Sequence, residues 1–196
     1  MPPEPCQMTA SSASVTPRGA VQGVYAPRNV TATAAGLFGG MRKICNFVLD
    51  KFKNMTIGIC NDHAGVDYKK KLVKMLEGKG IEVVNFGTDT KASVDYPDYA
   101  HALARAVEAG EVDLGIALCG TGNGMAITLN KHQGIRAGLA WSKPVGELVK
   151  AHNNANVLVL PARFISYREA SVIVRAWLET TFEGGRHQAR IDKIPL

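Results

Sequence analysis

Cys119-Gly120-Thr121-Gly122-Asn123-Gly124 joins a thiol to a glycine-rich turn. The apolar run 114–118 ahead of it reads as a buried strand, and the residues behind it as a short helix. The thiol therefore stands at the C-terminal tip of a strand. Glycines let backbone N–H groups converge on an anion, and a helix N-terminus adds a favourable dipole. The same field favours thiolate, so Cys119 is expected to have thiolate character near neutral pH, as a base or a nucleophile. An ordinary strand-to-helix turn that begins with a buried cysteine fits the pattern as well.

Other residues offer partners for that thiol. Asp62 and His63 follow a strand and precede Gly65; Asp62 reads as an N-cap or as a carboxylate at a site. His152 closes a helical stretch on the side of Leu148, where it could pack and complement the helix dipole, with Asn153 next to it. Tyr96 in Asp-Tyr-Pro-Asp-Tyr is either a packed turn aromatic or a hydroxyl facing a ligand, with Pro97 suited to position N1 of a helix. Arg186 and Arg190, behind Gly184-Gly185, would share a helical face, either as a solvated tail or as a phosphate clamp.

The elements that must position these residues alternate strand and helix from Met55 onward. Strands read at 55–60, 81–86, 114–118, 135–140 and 156–160. Helices read at 66–79, at the stripe Tyr99, Leu103, Ala106 and Val107, at about 123–131, at 144–152 with Val145, Leu148 and Val149 inward, and at 166–182. Five strands separated by helices predict an α/β fold, a three-layer αβα sandwich around a five-stranded parallel sheet of Rossmann-like type. Ligands in such folds bind beyond the carboxyl ends of the strands. Asn61-Asp62-His63, Gly87-Thr88, Cys119–Gly124, Trp141-Ser142 and Ala162-Arg163 are all expected on that rim.

Composition narrows the class. Of 196 residues, 46% are apolar and 20% charged, as in an ordinary globular chain. The net charge of +6 is concentrated at the front, where residues 1–54 hold six basic and two acidic side chains. The remainder is nearly balanced, which argues against nucleic acid as a partner. No apolar run approaches the roughly 20 residues of a membrane span. Cys6, Cys45, Cys60 and Cys119 form no C-x-x-C pair, which suggests a reducing compartment, and the five histidines show no zinc-protease spacing.

Residues 1–40 are rich in Ala, Ser, Thr, Gly and Pro and are expected to be disordered, with a short amphipathic helix at 41–54. Residues 1–54 resemble an organellar transit peptide in composition, or else are upstream translated sequence before a native start at Met55. The second reading is preferred, because a complete domain, 55–196, begins there.

Six blocks in order carry a resemblance: Asn-Asp-His-Ala-Gly at 61–65, Asp-Tyr-Pro-Asp-Tyr-Ala at 95–100, Cys-Gly-Thr-Gly-Asn-Gly at 119–124, Asn-Lys-His-Gln-Gly-Ile-Arg-Ala at 130–137, His-Asn-Asn-Ala-Asn-Val-Leu at 152–158 and Phe-Glu-Gly-Gly-Arg-His at 182–187. Residues 55–196 resemble the type B ribose-5-phosphate isomerases, a family that includes galactose-6-phosphate and allose-6-phosphate isomerases. The resemblance implies aldose–ketose isomerisation through an enediolate, with no cofactor or metal, on a phosphorylated pentose or hexose. It puts Cys119 as the base, as in the cysteine-bearing branch. Gly120, Thr121, Gly122, Asn123 and Gly124 would supply enediolate donors, and His152 the acid that opens the sugar ring. Asp62 and Tyr96 would relay protons at hydroxyls and Asn153 would contact the sugar. His63, Arg163, Arg186 and Arg190 would engage the phosphate. It also implies a homodimer or a dimer of dimers, with some arginines acting across the interface, in the cytoplasm unless the leader directs organellar import.

Three other classes are weighed. A non-catalytic sugar-phosphate or nucleotide module would not need Cys119, Thr121, His152 and the arginines together. A dinucleotide oxidoreductase would carry its glycine turn after the first strand. A thiol redox enzyme would need a resolving cysteine.

Overall fold

The computed structural model describes Phe52 and residues 54–195. The disordered segment expected at 1–40, and all of the 41–54 helix except Phe52 and Asn54, lie outside the described residues. Five parallel strands form one sheet in the order β2-β1-β3-β5-β4: β1 (Thr56–Asn61), β2 (Glu82–Asn85), β3 (Leu114–Cys119), β4 (Ala137–Leu139) and β5 (Val157–Pro161). Helices α1 (Val66–Glu77), α2 (Tyr96–Glu108), α3 (Asn123–Leu129), α4 (Lys143–Ala151), α5 (Tyr167–Glu179) and α6 (Arg186–Ile191) connect or follow them. The expected αβα sandwich is what is observed. Among the described residues, no helix is long and apolar enough to cross a membrane.

Alternation along the central strands builds the two core layers. Ile57 and Ile59, Ile116 and Leu118, and Leu158 and Leu160 face one way, onto Leu72 and Leu76 of α1 and Ile173, Val174 and Trp177 of α5. Cys60, Ala117, Cys119, Val157 and Val159 face the other way, onto α2 and α3 through Ala100, Leu103, Met125 and Leu129. Residues on both faces are apolar because the sheet is covered on both sides. The Ser166–Glu169 capping box starts α5, each side chain bonded to the other residue's amide.

Several boundaries differ from the sequence reading. Helix α2 starts at Tyr96 with Asp95 as N-cap, so Pro97 occupies the second helical position rather than the first. β4 keeps only three paired residues, because Ile135 is spent on a turn in which its amide donates to His132 O. Leu148, expected inward, is 47% exposed. Gly146 lets Ile173 of α5 approach closely, and α4 therefore buries its 145–146–149 face and turns Leu148 outward. Phe52 is buried against the same core as Leu72 and Leu76, so the packed unit reaches back three residues before Met55.

Candidate active site

Cys119 ends β3 opposite Pro161 and is only 4% exposed. Its sulfur accepts a hydrogen bond from the Gly122 amide at 3.1 Å. Gly122 can deliver that amide because it adopts φ 80° at the N-cap of α3, and a Cβ there would strike Leu139. The Gly122 N–H, expected among the enediolate donors, is thus engaged with the sulfur, where a donor steadies negative charge. Thr121 is exposed, and its hydroxyl accepts from the Asn123 amide at 3.3 Å. Cys60, on the same sheet face, is a different kind of thiol. It is fully buried and 3.9 Å from the Met125 sulfur, and burial foremost, then the neighbouring Cys119 charge, pushes its pKa upward.

The end of β1 lies beside this loop. The Asp62 amide donates to Leu118 O at 3.1 Å, and its Oδ1 accepts from the Ala64 amide at 2.9 Å to cap the short 3-10 turn His63–Gly65. The N-cap reading and the rim carboxylate reading of Asp62 therefore coincide. His63 Nδ1 accepts from the Val94 amide at 3.5 Å. The Tyr96 ring lies flat against Gly124, where a Cβ would fall 2.6–2.9 Å from three ring carbons. Arg163 donates its amide to Gly120 O at 3.0 Å and runs its side chain over Gly120, 3.3–3.6 Å from where a Cβ would be.

Two residues brace this rim: Asn61, which the sequence reading put there without a role, and Lys69, which it passed over. Lys69 is buried on α1, and its Nζ donates to Asn85 Oδ1 at 2.9 Å, Thr88 O at 2.7 Å and Asp89 Oδ1 at 2.7 Å. That lysine holds the loop after β2, and it keeps the Asp89 carboxyl below its ordinary pKa range. Asn61 Nδ2 then joins Thr88 O to Asp62 O, at 3.0 and 2.8 Å. A lysine inside an amphipathic stripe reads as solvated, which is why the pattern hid it.

His152, Asn153, Arg186 and Arg190 do not join this rim within one chain. Helices return antiparallel to the strands, so a residue that ends a helix lies where the next strand begins. His152 ends α4, and two links fix that corner: Ala155 N–H to Val149 O at 3.0 Å and Asn156 N–H to Arg136 O at 3.2 Å. Cys119 lies opposite Pro161, four residues beyond Val157, so about 13 Å of strand separates the two ends. A groove of about 580 Å³ opens at the His152 end, lined by Arg136, Val149, Asn153, Ala155 and Ile191 among others.

At that second end the His152 ring stacks on His187, with centroids 4.1 Å apart and planes 8° from parallel. His187 is 5% exposed; burial first, then His152 and Arg186, hold its pKa below the usual imidazole value. Glu183 stands beside both rings, its amide bonded to Ala151 O at 3.0 Å. Glu183 and His187 had no role in the sequence reading. Their four-residue spacing was visible, but Gly184 and Gly185 between them removed any helical signal.

An amide-held thiol, a carboxylate, a tyrosine and an arginine around a glycine loop can abstract a carbon-bound proton and hold the anion that results. The chain belongs to the ribose/galactose isomerase family, whose model matches residues 57–194. It is 44% identical over 133 residues to ribose-5-phosphate isomerase B of Escherichia coli, covering 68% of this chain and 89% of that protein. A solved ribose 5-phosphate isomerase from Thermotoga maritima is 48% identical, with a TM-score of 0.70 over 72% of this chain and 97% of that one. Ribose-5-phosphate isomerase B from Mycoplasma genitalium, solved with bound ribulose-5-phosphate, is 42% identical, with a TM-score of 0.69 over 72% and 95%.

Proposed function

We propose that this chain interconverts ribose 5-phosphate and ribulose 5-phosphate. The observation that carries the reading is the Cys119 sulfur, held by the Gly122 amide in a glycine loop at a strand end. The ligand of the Mycoplasma relative is the product of that reaction. His152 gives a proton to the ring oxygen as the anomeric hydroxyl loses one to Asp62, opening the sugar. The Cys119 thiolate takes the proton from C2, and the C–H electron pair forms the C1–C2 double bond while O1 takes the negative charge. The Thr121 hydroxyl and the loop amides other than that of Gly122, which holds the sulfur, steady that enediolate. A proton moves from O2 to O1, helped by Tyr96, and Cys119 returns its proton to C1. Asn153 contacts the sugar, and His63, Arg163, Arg186 and Arg190 hold the phosphate. Binding there orients the reacting carbons.

The two groups of residues lie at opposite ends of one sheet, so the scheme needs a second copy of the chain. A homodimer would set His152, Asn153, Arg186 and Arg190 of one protomer against the Cys119 rim of its partner. Ile127, Trp141 and Phe164, 57–72% exposed on or near that rim, offer apolar surface for the contact. The catalytic unit is residues 55–196 with Phe52 packed beneath it, residues 1–54 are a non-family leader, and the enzyme works in the cytoplasm unless that leader directs organellar import. Each step is a proton transfer that side chains perform.

The test is a side-by-side assay on ribose 5-, allose 6- and galactose 6-phosphates with chelator present. Highest kcat/KM on ribose 5-phosphate is expected. A preference for a hexose phosphate would reassign the substrate, and turnover of none would refute the reading.

A further inference from the structure

His152, Glu183 and His187 meet at a spacing that hydrogen bonding does not account for. Glu183 Oε2 is 3.7 Å from His152 Nε2 and 3.4 Å from His187 Nε2. Both distances exceed the roughly 2.7–3.2 Å of an N–H···O bond. One ligand atom from each of the three residues lies within 4.8 Å of the other two. Tetrahedral Zn²⁺ with bonds of about 2.0–2.1 Å sets its ligand atoms about 3.3 Å apart. Two sides of the triangle are already near that edge length, and two imidazoles with one carboxylate form a donor set that zinc accepts with a fourth position left open.

The surroundings are suited to an ion. Arg186 Nε lies 3.4 Å from His187 Nε2 and must turn aside for that nitrogen to take an ion. The Glu183 amide is tied to Ala151 O and the His187 amide to Gly184 O, each at 3.0 Å, so the ligands hang from an anchored corner of backbone. The parallel rings aim their lone pairs side by side, so His152 must tilt for both to converge. With side chains 35% and 56% exposed, His152 and Glu183 have room to move. Arg186 and Arg190 oppose a cation, and the Glu183 carboxylate offsets one of those two charges.

We propose that His152, Glu183 and His187 form a site for a divalent transition-metal ion of the zinc type, and that its occupation inhibits isomerisation. A metal on the His152 Nε2 lone pair occupies the position at which that nitrogen would carry the proton it gives to the sugar, and holds the imidazole away from the sugar's ring oxygen. The inhibition rests on the proposed role of His152, whereas the binding does not.

The test titrates the metal-stripped full chain with Co²⁺ and then Zn²⁺, following the visible spectrum and activity together. Expected is one equivalent per chain, with ligand-field bands of four- or five-coordinate cobalt and no thiolate charge-transfer band. Glu183→Gln and His187→Gln should each weaken binding by at least about 10–100-fold, and Cys119→Ser should leave it intact. Activity on cyclic substrate should fall about 100-fold or more as Zn²⁺ fills the site, and should return with chelator. Each variant is compared with its own chelated rate.

Absence of saturable binding, a charge-transfer band with the first equivalent, or zinc inhibition undiminished in His187→Gln would overturn the proposal. Metal bound as described in a chain that isomerises no sugar phosphate would uphold the site, and would refute both the inhibition and the isomerase reading.

Discussion

Gly124→Ala adds one methyl group where the Tyr96 ring rests. The new Cβ would lie 2.6, 2.8 and 2.9 Å from three ring carbons, whereas carbon atoms in contact sit about 3.5–4.0 Å apart. The ring must therefore retreat by about 1 Å. Tyr96 is 38% exposed, so it can swing toward solvent without disturbing the core. Alanine in the first turn of α3 gains about 0.5–1 kcal/mol in helix propensity, which offsets much of the repacking cost. Stability should thus change little. A displacement of about 1 Å in a positioning group can cost about 100-fold, so kcat/KM on ribose 5-phosphate should fall by about that factor, or about 2.7 kcal/mol. The control is the same substitution in a Tyr96→Ala background, where the methyl meets no ring and should cost at most about twofold. Steady-state kinetics on the four proteins, with thermal unfolding of each, decide the matter. Near-normal turnover in Gly124→Ala, or an equal loss in both backgrounds, would refute the reasoning.

Cys119→Ser keeps an acceptor for the Gly122 amide and should cost only about 1–2 kcal/mol of stability, while the isomerisation rate falls a thousandfold or so. Near-normal turnover in that variant would sink the base assignment. His152→Asn should harm cyclic substrates far more than open-chain analogues, and equal losses would mean that the ring only packs. Glu108 receives the Gly134 amide at 2.9 Å and His132 Nδ1 at 2.8 Å, and these bonds, the amide first, lower its pKa. A lowered carboxylate pKa stabilises the fold above the unfolded-state value, and that contribution disappears as pH falls through the folded value. Glu108→Gln should therefore be less stable than the parent near neutral pH, with the gap closing in urea unfolding as pH falls below the ordinary carboxylate range; a gap that widens on acidification would contradict the sign.

The parts legible in the sequence are those whose signal is local. The run into Cys119 and the turn behind it are contiguous, and the apolar runs of β1, β3 and β5 with the stripe through Ala170, Ile173, Val174 and Trp177 set out the layers. Direction was harder to read. Residues after strands were grouped correctly on one rim, but His152 follows a helix and therefore lies at the other end of the sheet. Leu148 looked like part of an apolar stripe, and only the close approach of Ile173 at Gly146 shows which face of α4 is inward. Lys69, Glu183 and His187 gain meaning from partners far away in sequence, so periodicity gave no hint of them. Phe52 was legible only as an apolar residue in a basic stretch, because a single side chain packing under the sheet leaves no pattern.

The central claim is that one site draws Cys119 and His152 from different chains. Co-expression of Cys119→Ser with His152→Asn tests it directly, each variant being close to inactive alone on ribose 5-phosphate. In a mixed dimer one of the two sites regains both residues, while the other loses both. Random pairing makes half the dimers mixed, so activity should return to roughly a quarter of the unsubstituted level. Activity no higher than the mean of the two separate variants, with mixed dimers shown to be present, would contradict a shared site.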